Sequence, residues 1–195
     1  MAIAFHSRVK GGLTQNLLTS ILEHGGYRVT RLGIEELFGE VKHMDVQAYL
    51  NLHLPKRLRT LPDLLVATRD LSQAFLVEVK FRKKFSERAA RELHQTLTDQ
   101  RKHWPESWAV IFISEATFPD MRFHQDYMRA VPPGKEDLLL GFEVFKQHAS
   151  QSFVPMRTTW NSLPTILNPF DKLIDAKICS GMDSITATLR QLAKL

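Results

Sequence analysis

The chain has 195 residues, 44% of them apolar and 24% charged, which is the composition of a folded domain and excludes wholesale disorder. Its 26 Lys and Arg exceed its 21 Asp and Glu, a net charge of +5 that suits a polyanionic partner without requiring one. A single cysteine, Cys179, excludes an internal disulfide framework and a cysteine-rich zinc module. No stretch approaches the roughly 18 consecutive apolar residues of a membrane span. The opening MAIAFHSRVK lacks the apolar core of a signal peptide, so the expected location is cytoplasmic.

After Gly11-Gly12, the residues Leu13, Leu17, Leu18, Ile21 and Leu22 recur at helical spacing, and Gly25-Gly26 supplies a stop. Residues 27–32 have strand composition and end at Gly33. The stretch 34–60 is less regular, with a short helix expected near 45–53. Two apolar runs follow, 61–68 (LPDLLVAT) and 74–81 (AFLVEVKF), and the four residues between them predict an antiparallel hairpin. Ser86 predicts an N-cap for a helix whose stripe is Ala89, Ala90, Leu93 and Leu97, ended by Pro105. The unbroken run 108–114 (WAVIFIS) reads as a buried strand. Beyond it, 119–130 is expected as a helix, 138–145 (LLLGFEVF) as a fifth strand, and 184–195 as the surest helix of the tail. The expected division is a domain over 1–145 and a mostly helical C-terminal extension, 146–195, packed on it.

The hairpin gathers the chemistry. Side chains alternate along a strand, so Glu78 and Lys80 share a face. A turn centred between Asp70 and Leu71 sets Asp63 opposite Glu78, with β-carbons about 4.5–5.5 Å apart. Like charges so placed repel unless a cation sits between them or a proton is shared. Two converging carboxylates with an amine two residues on suit a Mg²⁺ site for phosphodiester hydrolysis, the carboxylates holding the metal and Lys80 serving the nucleophile or the extra charge of the transition state.

Pro62-Asp63, fourteen intervening residues and then Glu78-Val79-Lys80 resemble the signature of the PD-(D/E)XK nuclease superfamily. The order of elements over about 9–115 resembles its αβββαβ core, an α/β restriction-endonuclease-like fold with a mixed sheet flanked by helices. The resemblance implies a metal-dependent DNA endonuclease using Mg²⁺, with Mn²⁺ as a substitute. Asp63, Glu78 and the Val79 carbonyl would be the metal ligands. Archaeal Holliday-junction resolvases and their relatives carry a glutamate near the start of the first helix and close that helix with a Gly-aromatic pair. Gly26-Tyr27 matches the close, and Gln15 stands where the glutamate would be. Glu35 or Glu36 would be a substitute carboxylate from the next loop. Some branches place a glutamine on the helix after the lysine, for which Gln95 and Gln100 are the candidates.

Residues 80–104 hold eight basic and three acidic side chains. Arg82, Lys83 and Lys84, with Lys56, Arg57 and Arg59, therefore form the expected nucleic-acid track. DNA is the expected partner, with RNA open, and a homodimer is compatible with cutting two strands. The alternative reading is a catalytically degenerate relative, with Gln15 its mark, that binds nucleic acid or a protein partner.

Overall fold

The computed structural model describes residues 2–118, 121, 124–146 and 153–173. Helix α1 spans Ala2–His24, starting well before the expected point and running through Gly11-Gly12. A glycine inside a helix costs about 1 kcal/mol against alanine, a penalty too small to end a helix without a competing cap. Of the expected face, Leu18, Ile21 and Leu22 are buried, Leu17 is partly buried and Leu13 is exposed. Gly26, at φ +87°, turns the chain as only glycine does freely, and Tyr27 N–H then donates to the Leu22 carbonyl (3.0 Å).

Strand β1 (Arg28–Arg31) is followed by three short helices, α2 (Ile34–Leu37), α3 (Val46–Asn51, near the expected 45–53) and α4 (Lys56–Arg59). Strands β2 (Leu64–Ala67) and β3 (Ala74–Arg82) form the expected hairpin, and α5 (Glu87–Arg101) leads to β4 (Trp108–Ile113). The five strands lie in the order β1-β2-β3-β4-β5, β5 being Met128–Val131, and only the β3–β4 pair is parallel. The α5 crossover supplies the length that a parallel connection needs. The chain is thus an α/β protein with a five-stranded mixed open sheet flanked by helices.

Ser86 caps α5, its hydroxyl accepting from Ala89 N–H at 3.2 Å. Ala89, Ala90, Leu93 and Leu97 point into the core with α1, Val77, Val79 and the whole of β4 from Ala109 on. Removing the cap with Ser86→Ala should cost about 1 kcal/mol in urea unfolding with an unchanged slope.

Two expectations are corrected. The fifth strand is Met128–Val131, overlapping the end of the stretch 119–130 expected as a helix. All four of its residues are buried, Arg129 among them. The Arg129 guanidinium donates to the carbonyls of Trp160 (3.2 Å) and Met128 (3.0 Å), and a buried arginine hides a strand from any reading of apolar pattern. Residues 138–145, expected as that strand, instead contribute to a 3₁₀ turn (Glu136–Leu140) and helix α6 (Gly141–Lys146). Leu139 and Phe142 are fully buried while Val144 is 66% exposed, the three-residue repeat of a helix face. A short apolar run does not distinguish a buried strand from a buried helix.

Helix α7 (Phe153–Ser162) and the residues after it join the same core through Trp160, Leu163, Ile166 and Phe170. Trp160 stacks at a tilt on Phe85 with centroids 4.8 Å apart, and Phe170 meets Tyr27 and Phe75 edge-on. The expected helix 184–195 and Cys179 lie outside the described residues. Among the described residues no helix is long and apolar enough to cross a membrane.

Candidate active site

The observed pairing of β2 with β3 is Leu64↔Val77, Leu65↔Leu76, Val66↔Phe75 and Ala67↔Ala74, the register expected from the turn. One further step along it brings Asp63 opposite Glu78. Asp63 stands just before β2 because Pro62, lacking an N–H, cannot extend the ladder. The Asp63 side chain takes over the next ladder position: its Oδ2 accepts from the Val79 backbone N–H at 2.7 Å. Its Oδ1 accepts from Gln15 Nε2 at 2.7 Å, so α1 reaches the site through an uncharged amide.

Glu78 is 7% exposed, and each of its oxygens has a donor. Oε1 is paired with the Lys80 ammonium and Oε2 accepts from Gln100 Nε2. That Gln100 amide also donates to the Thr60 carbonyl (3.3 Å), tying the end of α5 to the segment that leads into β2. Its Oε1 is buried without a hydrogen-bond partner.

Burial, and then the charge of Glu78, raise the Asp63 carboxyl from the usual 3.8 to about 7, against the pull of the Val79 N–H and Lys80; Glu35 adds a smaller push. Burial works against the charge of Lys80 as well. There the Glu78 and Asp63 carboxylates outweigh it and hold the ammonium above its ordinary value. The Asp63 carboxyl therefore keeps its proton to near neutral pH, whereas Lys80 stays charged.

Gln15, Asp63, Glu78, Val79, Lys80 and Gln100 are brought together. Gln95 is not: it is exposed and donates to Asp99 (2.9 Å), because five residues along a helix is about 500°, nearly the opposite face from Gln100. Glu35 stays exposed on α2 and reaches Asp63 through its charge alone, while Glu36 pairs with Arg31 (3.7 Å). The Thr60 carbonyl had no signal in the sequence, since a backbone acceptor can come from any residue type. Among the described residues no three His, Cys, Asp or Glu side chains group as metal ligands, so the oxygen donors beyond the two carboxylates are amides and carbonyls.

The basic track is sorted by its partners. The Arg59 guanidinium donates to the carbonyls of Leu50, Leu52 and Leu54 and lies over Tyr49. Arg57 lies over the Trp104 ring at 4.7 Å, and Trp104 Nε1 donates to its carbonyl. Lys83 and Lys84 are exposed and share Glu115, at 3.1 and 3.3 Å. Lys56 is exposed at the start of α4. Arg82 is half-buried beside the site.

A mixed α/β sheet with two facing carboxylates, a charged lysine and two amides at its central antiparallel pair defines the class of site. Compared with models of protein families, with curated proteins and with solved structures, the chain matches none.

Proposed function

We propose that the chain is a metal-dependent deoxyribonuclease of the restriction-endonuclease-like fold, hydrolysing phosphodiester bonds. The observation that carries this reading is the facing of Asp63 and Glu78 across the hairpin, with the Lys80 ammonium on Glu78. The element order supports it, since α1, the antiparallel strands β1 to β3, α5 and the parallel strand β4 follow the αβββαβ order of that superfamily.

The donor set fits a hard divalent cation, Mg²⁺ or Mn²⁺. Asp63 and Glu78 would hold it with the Val79 carbonyl, and two mutually repelling carboxylates gain from a positive charge between them. The buried, unpartnered Gln100 Oε1 beside Glu78 is a further acceptor suited to hydration water. When bound, the cation supplies charge neutralisation at the phosphate and an acidified water.

The residues supply the rest. Glu78, itself held by the Gln100 amide, holds the Lys80 ammonium in place. Lys80, charged at neutral pH, donates toward the attacking water and the phosphate oxygens rather than removing a proton. The attacking water gives a proton to bulk solvent as its oxygen forms the new P–O bond, the bond to the sugar oxygen breaks, and that oxygen takes a proton from solvent. Gln15 holds Asp63 in the orientation that faces Glu78.

One observation favours a second reading, a degenerate relative that binds nucleic acid without cutting it. All four carboxylate oxygens already have donors within the protein, and Gln15 brings no charge. Incubating supercoiled plasmid with the protein separates the two. The nuclease should nick in Mg²⁺, stop in EDTA and lose activity in Glu78→Gln. Retention of DNA equally with and without Mg²⁺, with no nicking, would establish the binder.

A further inference from the structure

Glu78, Lys80 and Arg82 alternate onto one face of β3, so Arg82 stands one two-residue step past the site lysine, about 6–7 Å along the strand. Its side chain is half-buried and poorly satisfied. Nη1 donates to the carbonyl of its own neighbour Phe81 (2.8 Å), and Nε is buried with no partner. The acid whose charge reaches it, Glu92, is itself bonded to Arg88 at 2.8 Å. The contrast with the rest of the basic run is direct. Lys83 and Lys84 share Glu115 and Arg59 donates to carbonyls; Arg101 also has a buried, unpartnered Nε, but its other nitrogens are held by Glu136 and the Ser107 and Val131 carbonyls, partners that Arg82 lacks.

A buried N–H without an acceptor costs about 1–3 kcal/mol, so the resting place of this guanidinium is not its best one. Drawing it toward an anion exchanges the orphan for charge-assisted bonds, and a guanidinium fork matches the oxygens of a phosphate. The step from Lys80 to Arg82 is comparable with the step from one phosphodiester to the next along a nucleic-acid strand.

We infer that Arg82 holds the phosphate adjacent to the one under attack, so that the substrate is a polynucleotide segment with at least two consecutive phosphodiesters rather than a single terminal linkage. The inference rests on the nuclease reading. It makes Arg82 a binding residue for one particular phosphate, where Lys83 and Lys84 contribute only to the general field.

A set of DNA oligonucleotides, each carrying one uncharged methylphosphonate at a different position around the cut, tests this in Mg²⁺. Wild-type kcat/KM should fall about tenfold when the neutral linkage is next to the cut on one side. Arg82→Ala should be about tenfold slower on unmodified DNA and should lose nothing further from that linkage. Lys83→Ala should keep the wild-type dependence on it. Arg82→Gln, read in the same way, covers the case in which Arg82→Ala fails to fold. If the Arg82 variant remains as sensitive to the adjacent linkage as wild type, the assignment of Arg82 is overturned and the nuclease reading stands. If the wild-type protein cuts no oligonucleotide in Mg²⁺, both fall together.

Discussion

Lys80→Met should cut DNA at least about 10³-fold more slowly than the wild-type protein while binding it within a few-fold as tightly. Methionine keeps the length and apolar stem of lysine and removes only the ammonium. Losing one preorganised donor aimed at developing charge costs about 10²–10³ in rate where it has been measured in other enzymes, and on the proposed nuclease reading Lys80 would serve both water and phosphate. Because the flanking carboxylates hold its proton firmly, the ammonium acts as a charge and a donor, and raising the pH to 9 should not rescue the variant. The substitution also leaves Glu78 with Gln100 as its one donor, so some stability is lost as well. Urea unfolding of the variant separates that loss from the loss of rate, and single-turnover cleavage reads the rate itself. Cleavage within tenfold of wild type by a folded Lys80→Met protein would remove Lys80 from the chemistry.

The centre of the fold was legible because its signals are local and redundant. The four residues 69–72 set the turn, the turn sets the register, and the register alone decides whether Asp63 and Glu78 share a face. Ser86 and the Ala89–Leu93–Leu97 stripe mark α5, and fifteen residues of helix, Glu87–Arg101, force β4 to lie parallel. Gln15 and, beside Gln95, Gln100 are candidates only through the family resemblance, and their roles as donors to opposite carboxylates depend on two helices converging from distant parts of the chain. The edges were not legible for a different reason. Met128–Val131 is a strand by virtue of β4 on one side and a buried arginine bonded to α7 on the other, both tertiary facts. The basic run could be counted but not sorted: whether a basic side chain meets solvent, a carbonyl or a glutamate depends on packing, as Arg59, Arg101 and Lys83 show.

In metal-free buffer, Asp63→Asn should be more stable than the wild-type protein at pH 8, by about 2–3 kcal/mol more than at pH 5. The folded chain keeps the Asp63 proton until about pH 7, whereas an unfolded aspartate releases it near 3.8. Between those values the folded state binds more protons. The stability that this group contributes is therefore complete below the unfolded value and is lost as pH rises through about 7. Asparagine copies the protonated carboxyl at every pH. Its oxygen can accept from Val79 N–H, and its amide can donate to Gln15 once the Gln15 amide turns over to present its carbonyl. Urea midpoints at pH 5, 6, 7 and 8 in EDTA read the divergence, and parallel curves for the two proteins would refute it. Mg²⁺ supplies the second half of the experiment. If the repulsion between Asp63 and Glu78 is what a cation relieves, saturating Mg²⁺ at pH 8 should raise the midpoint of the wild-type protein and leave that of Asp63→Asn nearly unmoved. The substitution that stabilises the empty protein would then be the one that deprives the site of its reason to bind metal, the trade expected when two acids are held face to face for function rather than for folding.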